Sequence, residues 1–335
     1  MNWEFDPQVS SPAKIREAFR VFGFVVVRRV LGLDELSRVR AELDRAFDGA
    51  RLRDLPVMCS TEFLKHEVVW RCLFKETVVG SLRAALGPEL CYQNDFDVQR
   101  NCYGQAGLQR RRGWHMDAGS ETHNAYLRSP EYRFAKCGIF LQDFDNGWGG
   151  GIVIRPRSHR RSETDAFKRR LFTLKRAFDR LAIRVDTEIG SLHVPTRAGD
   201  LCFFDSRLLH SSVLPSAANI RAIGYDRKMD ISIFWPDVPK AQTKYVIYWD
   251  SCNRAMVDDF LRNSMRRSET EMPGMKEEPC RPATFTRYLS VRYPDDYPAG
   301  FTEAARSCGI GVASLGAERT AFYKQKLQSM QLLDA

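Results

Sequence analysis

Long apolar runs are absent from this 335-residue chain, in which no stretch of eighteen or more apolar residues occurs. A bilayer-spanning helix needs about 20 such residues, so the sequence predicts no membrane span. The first residues, Met-Asn-Trp-Glu-Phe-Asp-Pro, also lack the basic start and the apolar stretch of a signal peptide. We therefore expect a cytoplasmic protein.

Paired cysteine motifs are absent as well. The nine cysteines are an odd number, and none of them forms a Cys-x-x-Cys. This pattern argues against a disulfide framework or a zinc site and predicts reduced thiols. Cys102, Cys137 and Cys202 lie in apolar, strand-like runs, where a thiol acts as a small hydrophobic group.

Acidic residues are fewer than basic ones: the chain has 42 acidic and 51 basic residues, which gives a net charge of +9. Basic residues gather at Arg110, Arg111 and Arg112 and on one face of an amphipathic helix predicted within residues 163–185. This surface is either solvated or a positive rim that attracts an anionic substrate. A nucleic-acid-binding protein is an alternative, but the chain lacks the zinc, helix-turn-helix and aromatic-basic motifs of that class.

Only six histidines are present, yet two of them stand in an informative pattern. His115 and Asp117 lie in Gly-Trp-His-Met-Asp, and His210 lies in Asp-Ser-Arg-Leu-Leu-His-Ser-Ser. Two imidazoles and a carboxylate are the ligand set that holds non-haem Fe(II) on one face. On a strand, residues i and i+2 point to the same side, so His115 and Asp117 can bind one ion together. His210 must then come from another strand that lies beside the first, in a closed or sandwiched antiparallel sheet.

The surroundings of His210 strengthen this interpretation, because a His-x-Asp alone is a weak signal. A turn at residues 197–200 and an apolar strand at 201–204 precede His210. Arg221 follows eleven residues later, before a further predicted strand at 231–235. A guanidinium pairs bidentately with a carboxylate, so Arg221 could hold the far end of a dicarboxylic co-substrate.

Local patterns predict a mainly β fold with flanking helices. We expect a helix from Pro12 to Phe22, a strand at 23–28, a helix from the N-cap Asp34 to about Phe47, and mainly helix from 60 to 86. Short strands with glycine turns follow from Leu90. They predict a double-stranded β-helix, the jelly roll of cupin-like proteins.

We expect residues 1–335 to form a single domain with three parts. Residues 1–88 would be an N-terminal helical support, and residues 238–335 a C-terminal helical extension. Between them, residues 89–237 would form the jelly-roll catalytic core, interrupted by the helical insertion 163–185.

Three segments of the chain resemble the phytanoyl-CoA dioxygenase-like (PhyH) family of Fe(II)/2-oxoglutarate-dependent oxygenases. They are Trp-His-Met-Asp at 114–117, a predicted hairpin at 141–159 that ends in Arg-Pro-Arg-Ser-His, and His-Ser-Ser at 210–212 through Arg221. The resemblance covers about residues 15 to 237. Arg157 stands where the family's turn usually has Gly, and Trp148 with three glycines enlarges the preceding loop.

The resemblance implies a role for each matching residue. His115, Asp117 and His210 would bind the iron, Arg221 would bind the distal carboxylate of 2-oxoglutarate with Ser212 as a hydroxyl partner, and Gln99 would reach the co-substrate. It also implies that O2 and 2-oxoglutarate are consumed, that succinate and CO2 are released, and that a C–H bond of a small-molecule metabolite is hydroxylated or otherwise oxidised. Related enzymes that transfer halogen lack the carboxylate ligand, so the presence of Asp117 favours hydroxylation.

Other interpretations remain open at this stage. A metal-dependent cupin enzyme that does not use 2-oxoglutarate would need no Arg221. We expect His159 to brace its turn through hydrogen bonds, whereas His123 is either substrate-facing or solvated.

Overall fold

The described part of the chain comes from a computed structural model and comprises residues 2–7, 9–49, 52–53, 57–93, 96–101, 114–117, 132–144, 147–160, 190–213, 216, 218–219, 238–258 and 297–313. No helix within these ranges is long and apolar enough to cross a membrane.

The first helix, α1 (Pro12–Phe22), confirms the predicted bounds. Its limits follow from local chemistry, because the Ser11 side chain accepts a hydrogen bond from the Lys14 N–H at the start and Gly23 adopts a left-handed φ of 82° at the end. The second helix is α2 (Leu33–Asp48). The expectation that Asp34 is its N-cap is wrong. Gly32 is the cap, since the Glu35 carboxylate reaches back and accepts from the Gly32 N–H at 3.0 Å.

Residues 60–86 are mainly helical, as predicted. They form α3 (Ser60–Phe63), α4 (Glu67–Trp70), a 3-10 turn at Arg71–Phe74 and α5 (Glu76–Leu86). The last described helix is α6 (Ala299–Ser307).

Two β-sheets lie beside these helices. The large sheet contains β1 (Glu4–Phe5), β2 (Phe24–Val27), β3 (Val57–Met58), β4 (Leu90–Tyr92), β5 (Asp97–Arg100), β6 (Phe134–Phe140), β9 (Asp200–Asp205), β11 (Tyr245–Asn253) and β12 (Gly311–Val312). Its strand order is β1-β2-β9-β6-β11-β4-β12, with β5 also on β11 and β3 on β5. The small sheet is β10 (His210–Ser212), β7 (Ile152–Ile154) and β8 (Leu192–His193), in that order.

The position of β11 corrects the expected C-terminal boundary. The helical extension predicted from residue 238 is wrong for Tyr245–Asn253, which pairs with β6, β5 and β4 inside the large sheet. The run Tyr-Val-Ile-Tyr-Trp is itself rich in strand-forming residues, so the sheet continues past residue 237. At the other end, β1 and β2 also belong to this sheet, which therefore draws on all three predicted parts of the chain.

The segment 141–159 is not the hairpin that the sequence suggested. β6 ends at Phe140 in the large sheet, whereas β7 pairs with β10 and β8 in the small one. The chain therefore crosses from one sheet to the other between these strands.

Apolar side chains fill two layers. One cluster joins the helices to the outer face of the large sheet through Ile15, Leu43, Phe203 and Trp249, among others. A second cluster, which includes Phe140, Ile154 and Phe204, lies between the two sheets. Two facing sheets with helices on the outer side of one of them are the predicted jelly roll with flanking helices, so the fold class is confirmed.

Buried cysteines behave as expected in these layers. Cys137 and Cys202 are buried and carry free thiols. Burial raises the pKa of the Cys202 thiol to about 12, which keeps it protonated at neutral pH. Cys102 lies outside the described residues.

Candidate metal centre

His115 and His210 are held side by side by the backbone. The His115 N–H donates to the His210 carbonyl and the His210 N–H donates to the His115 carbonyl, both at 3.0 Å. This reciprocal antiparallel bridge brings the imidazole centroids to 4.3 Å. His210 does come from a strand, β10, and it lies beside His115, which is itself an isolated bridge residue and not part of a described strand.

Asp117 completes a cluster with both imidazoles. Its carboxylate oxygens lie 3.6 Å from His115 Nε2 and 3.6 Å from His210 Nε2. One ligand atom from each of the three residues falls within 4.8 Å of the others. The structure thus brings the three predicted ligands together, with Asp117 on the same side of the chain as His115.

The donor set fits a ferrous ion. His210 Nδ1 lies 2.9 Å from the Leu208 carbonyl oxygen, which can only accept, so Nδ1 carries the proton and Nε2 keeps its lone pair for a metal. Metal–ligand bonds of about 2.1 Å at right angles put neighbouring donors roughly 3 Å apart. The carboxylate lies 3.6 Å from each imidazole and the three donor atoms lie within 4.8 Å of one another, so a bound ion would draw them closer together. Two imidazoles and one carboxylate also match the Fe(II) preference.

Burial favours the ligand form of His210. The imidazole is buried beside the Phe204 ring, with the two ring centroids 4.6 Å apart. This burial lowers the pKa of His210, because it penalises the imidazolium, and the nearby His115 and Lys136 act in the same direction while Asp117 opposes them. The side of the cluster formed by His115 is open, with 55% of its side chain exposed.

The turn that contains Ser158 and His159 is held by hydrogen bonds on two sides. Ser158 Oγ accepts from the Leu209 N–H at 2.8 Å, one residue before His210. His159 Nε2 donates to the Arg20 carbonyl of α1 at 3.1 Å, which confirms its expected bracing role. The turn therefore connects the helical layer to the strand that carries a predicted ligand.

The predicted co-substrate residues are only partly covered by the structure. Ser212 is two residues beyond His210 on β10 and therefore shares its face. Gln99 lies on β5 opposite Val246 and is not among the three residues whose donor atoms come together at the metal centre. Arg221 lies outside the described residues. So do His123, the three arginines at 110–112, the segment 163–185 and the strand predicted at 231–235.

Sequence reasoning missed a polar group on the inner face of the large sheet. Lys136 Nζ lies 3.6 Å from Asp250 Oδ2 and 5.8 Å from the centroid of the Tyr248 ring. The available signal was a single charged residue inside each of two apolar strands, Phe-Ala-Lys-Cys-Gly-Ile-Phe and Tyr-Val-Ile-Tyr-Trp-Asp-Ser-Cys.

A jelly roll that gathers two imidazoles and a carboxylate where its two ligand strands meet defines a metal-dependent oxygenase of the cupin type. A sequence profile described as phytanoyl-CoA dioxygenase (PhyH) matches residues 19–219, more than half of the chain. The chain belongs to the phytanoyl-CoA dioxygenase (PhyH) family. It is an Fe(II)/2-oxoglutarate-dependent dioxygenase that uses O2.

The individual proteins to which the chain is similar share limited sequence identity with it. The chain is 27% identical to the ectoine dioxygenase of Streptomyces avermitilis over 220 residues, which cover 57% of this chain and 69% of that protein. It is similar to the crystal structure of EctD from S. alaskensis with 2-oxoglutarate and 5-hydroxyectoine, at 16% identity and a TM-score of 0.47 over 76% of this chain and 83% of that one. It is also similar to HygX from Streptomyces hygroscopicus with nickel and 2-oxoglutarate bound, at 13% identity and a TM-score of 0.48 over 73% and 88% of the two chains.

Proposed function

We propose that His115, Asp117 and His210 bind Fe(II) and that the enzyme hydroxylates a C–H bond of a small-molecule metabolite, with release of succinate and CO2. The observation that carries this proposal is the cluster of three donor atoms within 4.8 Å, closed by the reciprocal backbone bridge between the two histidines. Fe(II), when bound there with 2-oxoglutarate and O2, supplies the oxidant for the C–H bond.

The chain's own groups orient and shield this chemistry. The Leu208 carbonyl holds the His210 ring so that Nε2 faces Asp117. The Asp117 carboxylate supplies a negative charge between the imidazoles, which offsets the charge of a dication. Phe204 and the apolar cluster between the sheets exclude water from the His210 side.

Co-substrate binding is assigned to Arg221 and Ser212. We propose that the Arg221 guanidinium pairs with the distal carboxylate of 2-oxoglutarate and that the Ser212 hydroxyl donates to the same group. The position of Ser212 supports this, since it lies about 7 Å along the strand from His210 and on the same face. Gln99 stays a prediction as a further contact.

Asp117 favours hydroxylation over halogen transfer. A halide would need the coordination position that the carboxylate takes, and Asp117 lies within 3.6 Å of both imidazoles. Oxidation at carbon is therefore the reaction we propose.

The substrate is assigned only by class. An anionic substrate remains a prediction from the basic residues at 110–112 and 163–185, which lie outside the described residues. Because the curated relative is an ectoine dioxygenase, ectoine is the first compound to assay. A metabolite extract scored by succinate release extends the search.

Loss of Asp117 should abolish activity without unfolding the protein. Asp117→Ala leaves two imidazoles and an incomplete ligand set, whereas its side chain is partly exposed and contributes little to the core. We expect bound iron to fall well below one per chain by elemental analysis, Fe(II)-dependent succinate release to disappear, and the circular dichroism spectrum to stay unchanged. Met116→Ala is the matched control and should retain both iron and activity. Oxidation at the normal rate by His115→Ala and by His210→Ala would contradict the assignment.

Arg221 should set the affinity for 2-oxoglutarate. Truncation of one partner of a buried, hydrogen-bonded charge pair costs about 2–5 kcal/mol, so Arg221→Ala should weaken binding by that amount. Arg221→Lys should restore only part of it, because an ammonium cannot form the planar fork. Anaerobic calorimetry with 2-oxoglutarate measures both. An unchanged affinity in Arg221→Ala would show that this side chain points elsewhere.

A further inference from the structure

The inner face of β6 carries a lysine. Ala135, Cys137 and Ile139 pack into the cluster shared with the helices. The alternate residues therefore point toward the small sheet, and Phe140 confirms this by its place in the cluster between the sheets. Lys136 alternates with Phe140 and so lies on this inner face.

Two residues of β11 share that face with Lys136. Asp250 is the direct cross-strand neighbour of Lys136, and Tyr248 is that of Gly138. A Cβ at Gly138 would come within 2.8 Å of the Tyr248 ring, which therefore lies across the glycine. We name Lys136, Tyr248 and Asp250 the inner-wall cluster.

The inner-wall cluster lies next to the metal centre. Asp250, Lys136 and Phe204 form one row across β11, β6 and β9, and the Phe204 ring packs 4.6 Å from that of His210. Neighbouring strands are about 4.8 Å apart. Lys136 is therefore one strand away from Phe204, which contacts the proposed iron ligand His210, and Asp250 is two strands away. Both distances are within the reach of a small substrate.

A structural role does not account for this pair. Buried ion pairs stabilise little, because desolvation of both charges offsets their attraction, and apolar residues of similar volume serve as well or better. The Lys136 and Asp250 side chains are only 14% and 9% exposed. The same face is apolar at Phe24, Phe140 and Val246, and on β5 it carries Gln99 opposite Val246 and the buried Asp97 opposite Tyr248.

We propose that the inner-wall cluster binds the polar end of the substrate and selects a zwitterion, with the Lys136 ammonium taking its carboxylate and the Asp250 carboxylate taking its cationic nitrogen. Adjacent charges of opposite sign complement a molecule whose own two charges lie a few ångströms apart. A simple anion would bring like charge to Asp250, and a simple cation would bring like charge to Lys136. The ring of Tyr248 presents a face to the cationic nitrogen. This inference rests on the proposed function, because it treats the space beside His210 as the substrate site.

The test compares binding and selectivity across charge classes. The full-length protein, loaded with Zn(II) and 2-oxoglutarate so that no turnover occurs, is screened by ligand-observed NMR against metabolites sorted into zwitterions, anions, cations and neutral compounds, ectoine among the zwitterions. The test variant is Lys136→Met/Asp250→Asn, which removes both charges of the pair together. Lys75→Met/Glu35→Gln removes a more exposed ion pair, between the residue before α5 and the first turn of α2, and is the control. Circular dichroism checks that both fold.

We expect zwitterions to bind the wild type and the control variant, and to bind the test variant at least about tenfold more weakly. The two single variants should each change which charge class of ligand binds best, and a purely structural role would not produce such a change. Asp250→Asn should shift selectivity toward anions, and Lys136→Met should shift it toward cations. The affinity for 2-oxoglutarate should stay unchanged in all of them.

Three outcomes would overturn the inference. They are an absence of zwitterions among the wild-type ligands, ligands that bind the test variant as tightly as the wild type, and a loss of 2-oxoglutarate affinity in Lys136→Met. The proposed function is judged separately, by Fe(II)-dependent succinate release. Zwitterion binding that depends on the pair in an enzyme that releases no succinate would leave the inference standing and contradict the proposed function.

Discussion

Arg157 occupies a backbone conformation that glycine adopts more easily. Its φ is 69°, in the left-handed region, and its N–H donates to the Phe22 carbonyl at 2.9 Å. The family's usual glycine at this turn is thereby explained. Here an arginine tolerates the strain while its guanidinium stacks 5.7 Å from the Phe22 ring. The turn keeps its geometry even though the residue type differs.

Substitutions at Arg157 should separate the effect of its left-handed backbone strain on stability from that of its side-chain contact with Phe22. Arg157→Gly relieves the left-handed strain but loses the stacking, so we expect the free energy of unfolding to change by less than about 1 kcal/mol. Arg157→Val places a β-branched side chain in the left-handed region and should lower it by roughly 1–3 kcal/mol. Urea denaturation measures both. Arg38→Val, on the exposed face of α2, is the control and should stay within about 0.5 kcal/mol. Equal stability of Arg157→Val and wild type would contradict the strain argument.

At the scale of elements, β11 holds the large sheet together. It pairs with β6 on one side and with β5 and β4 on the other, and its Trp249 is fully buried with its ring 6.0 Å from that of Tyr92. A strand that the sequence placed outside the core therefore lies at its centre.

Trp249→Ala should be among the most destabilising substitutions in the described part of the chain. Removal of a buried aromatic side chain from a packed core costs about 3–5 kcal/mol. We expect a fall of this size in the free energy of unfolding by urea titration. Leu33→Ala removes an apolar side chain that is 82% exposed and should change little. A loss below about 1 kcal/mol for Trp249→Ala would show that β11 is not part of the cooperative core.

The elements that the sequence predicted well are those with local signals. Ser11, Pro12 and Gly23 mark both ends of α1, and the apolar run 201–204 marks β9. Sheet partners are set by contacts that are distant in sequence, so the local pattern of residues 141–159 predicts a hairpin that the structure does not form. The Asp34 cap is wrong for a different reason, because α2 already begins at Leu33 and Asp34 is its second residue, while Glu35 at the third position accepts from the N–H of the cap residue Gly32.

In the candidate site, too, local sequence patterns predict some residues, whereas others depend on how distant strands pair. His115 and Asp117 are two residues apart, so a strand's period of two predicts that they lie together, and the structure brings them together with His115 in an isolated bridge and Asp117 in a turn. The sequence around His210 supports its role through the turn at 197–200, the apolar strand at 201–204 and the later Arg221. The pairing of Lys136 with Asp250 depends on the register between β6 and β11. No spacing within either strand reveals that register.

For the whole molecule, acid should weaken the link between the helical layer and the jelly roll. His159 lies between α1 and the turn before His210, and burial lowers its pKa while the charge of Asp205 partly opposes this. An unfolded histidine titrates near pH 6.5. As the pH falls below that value, the unfolded state binds a proton that the folded state does not, so stability falls with decreasing pH.

Urea denaturation between pH 7.5 and 5.5 measures this effect. We expect the free energy of unfolding of the wild type to decrease over this interval and that of His159→Gln to decrease less steeply. Parallel slopes for the two proteins would show that His159 does not contribute to the acid sensitivity.

The strand order of the large sheet has a consequence for synthesis on the ribosome. β6 (Phe134–Phe140) lies between β9 and β11, and both of these neighbours are translated later. At 5–20 residues per second, the roughly 100 residues between β6 and β11 take about 5–20 s to emerge. Until β9 emerges, after roughly 60 residues, both edges of β6 offer unpaired backbone groups to other nascent chains, and the edge that pairs with β11 does so for the whole interval. Expression at low temperature changes this interval as well as the folding rate, so the yield of folded enzyme should depend on translation speed and on chaperones that cover nascent strands.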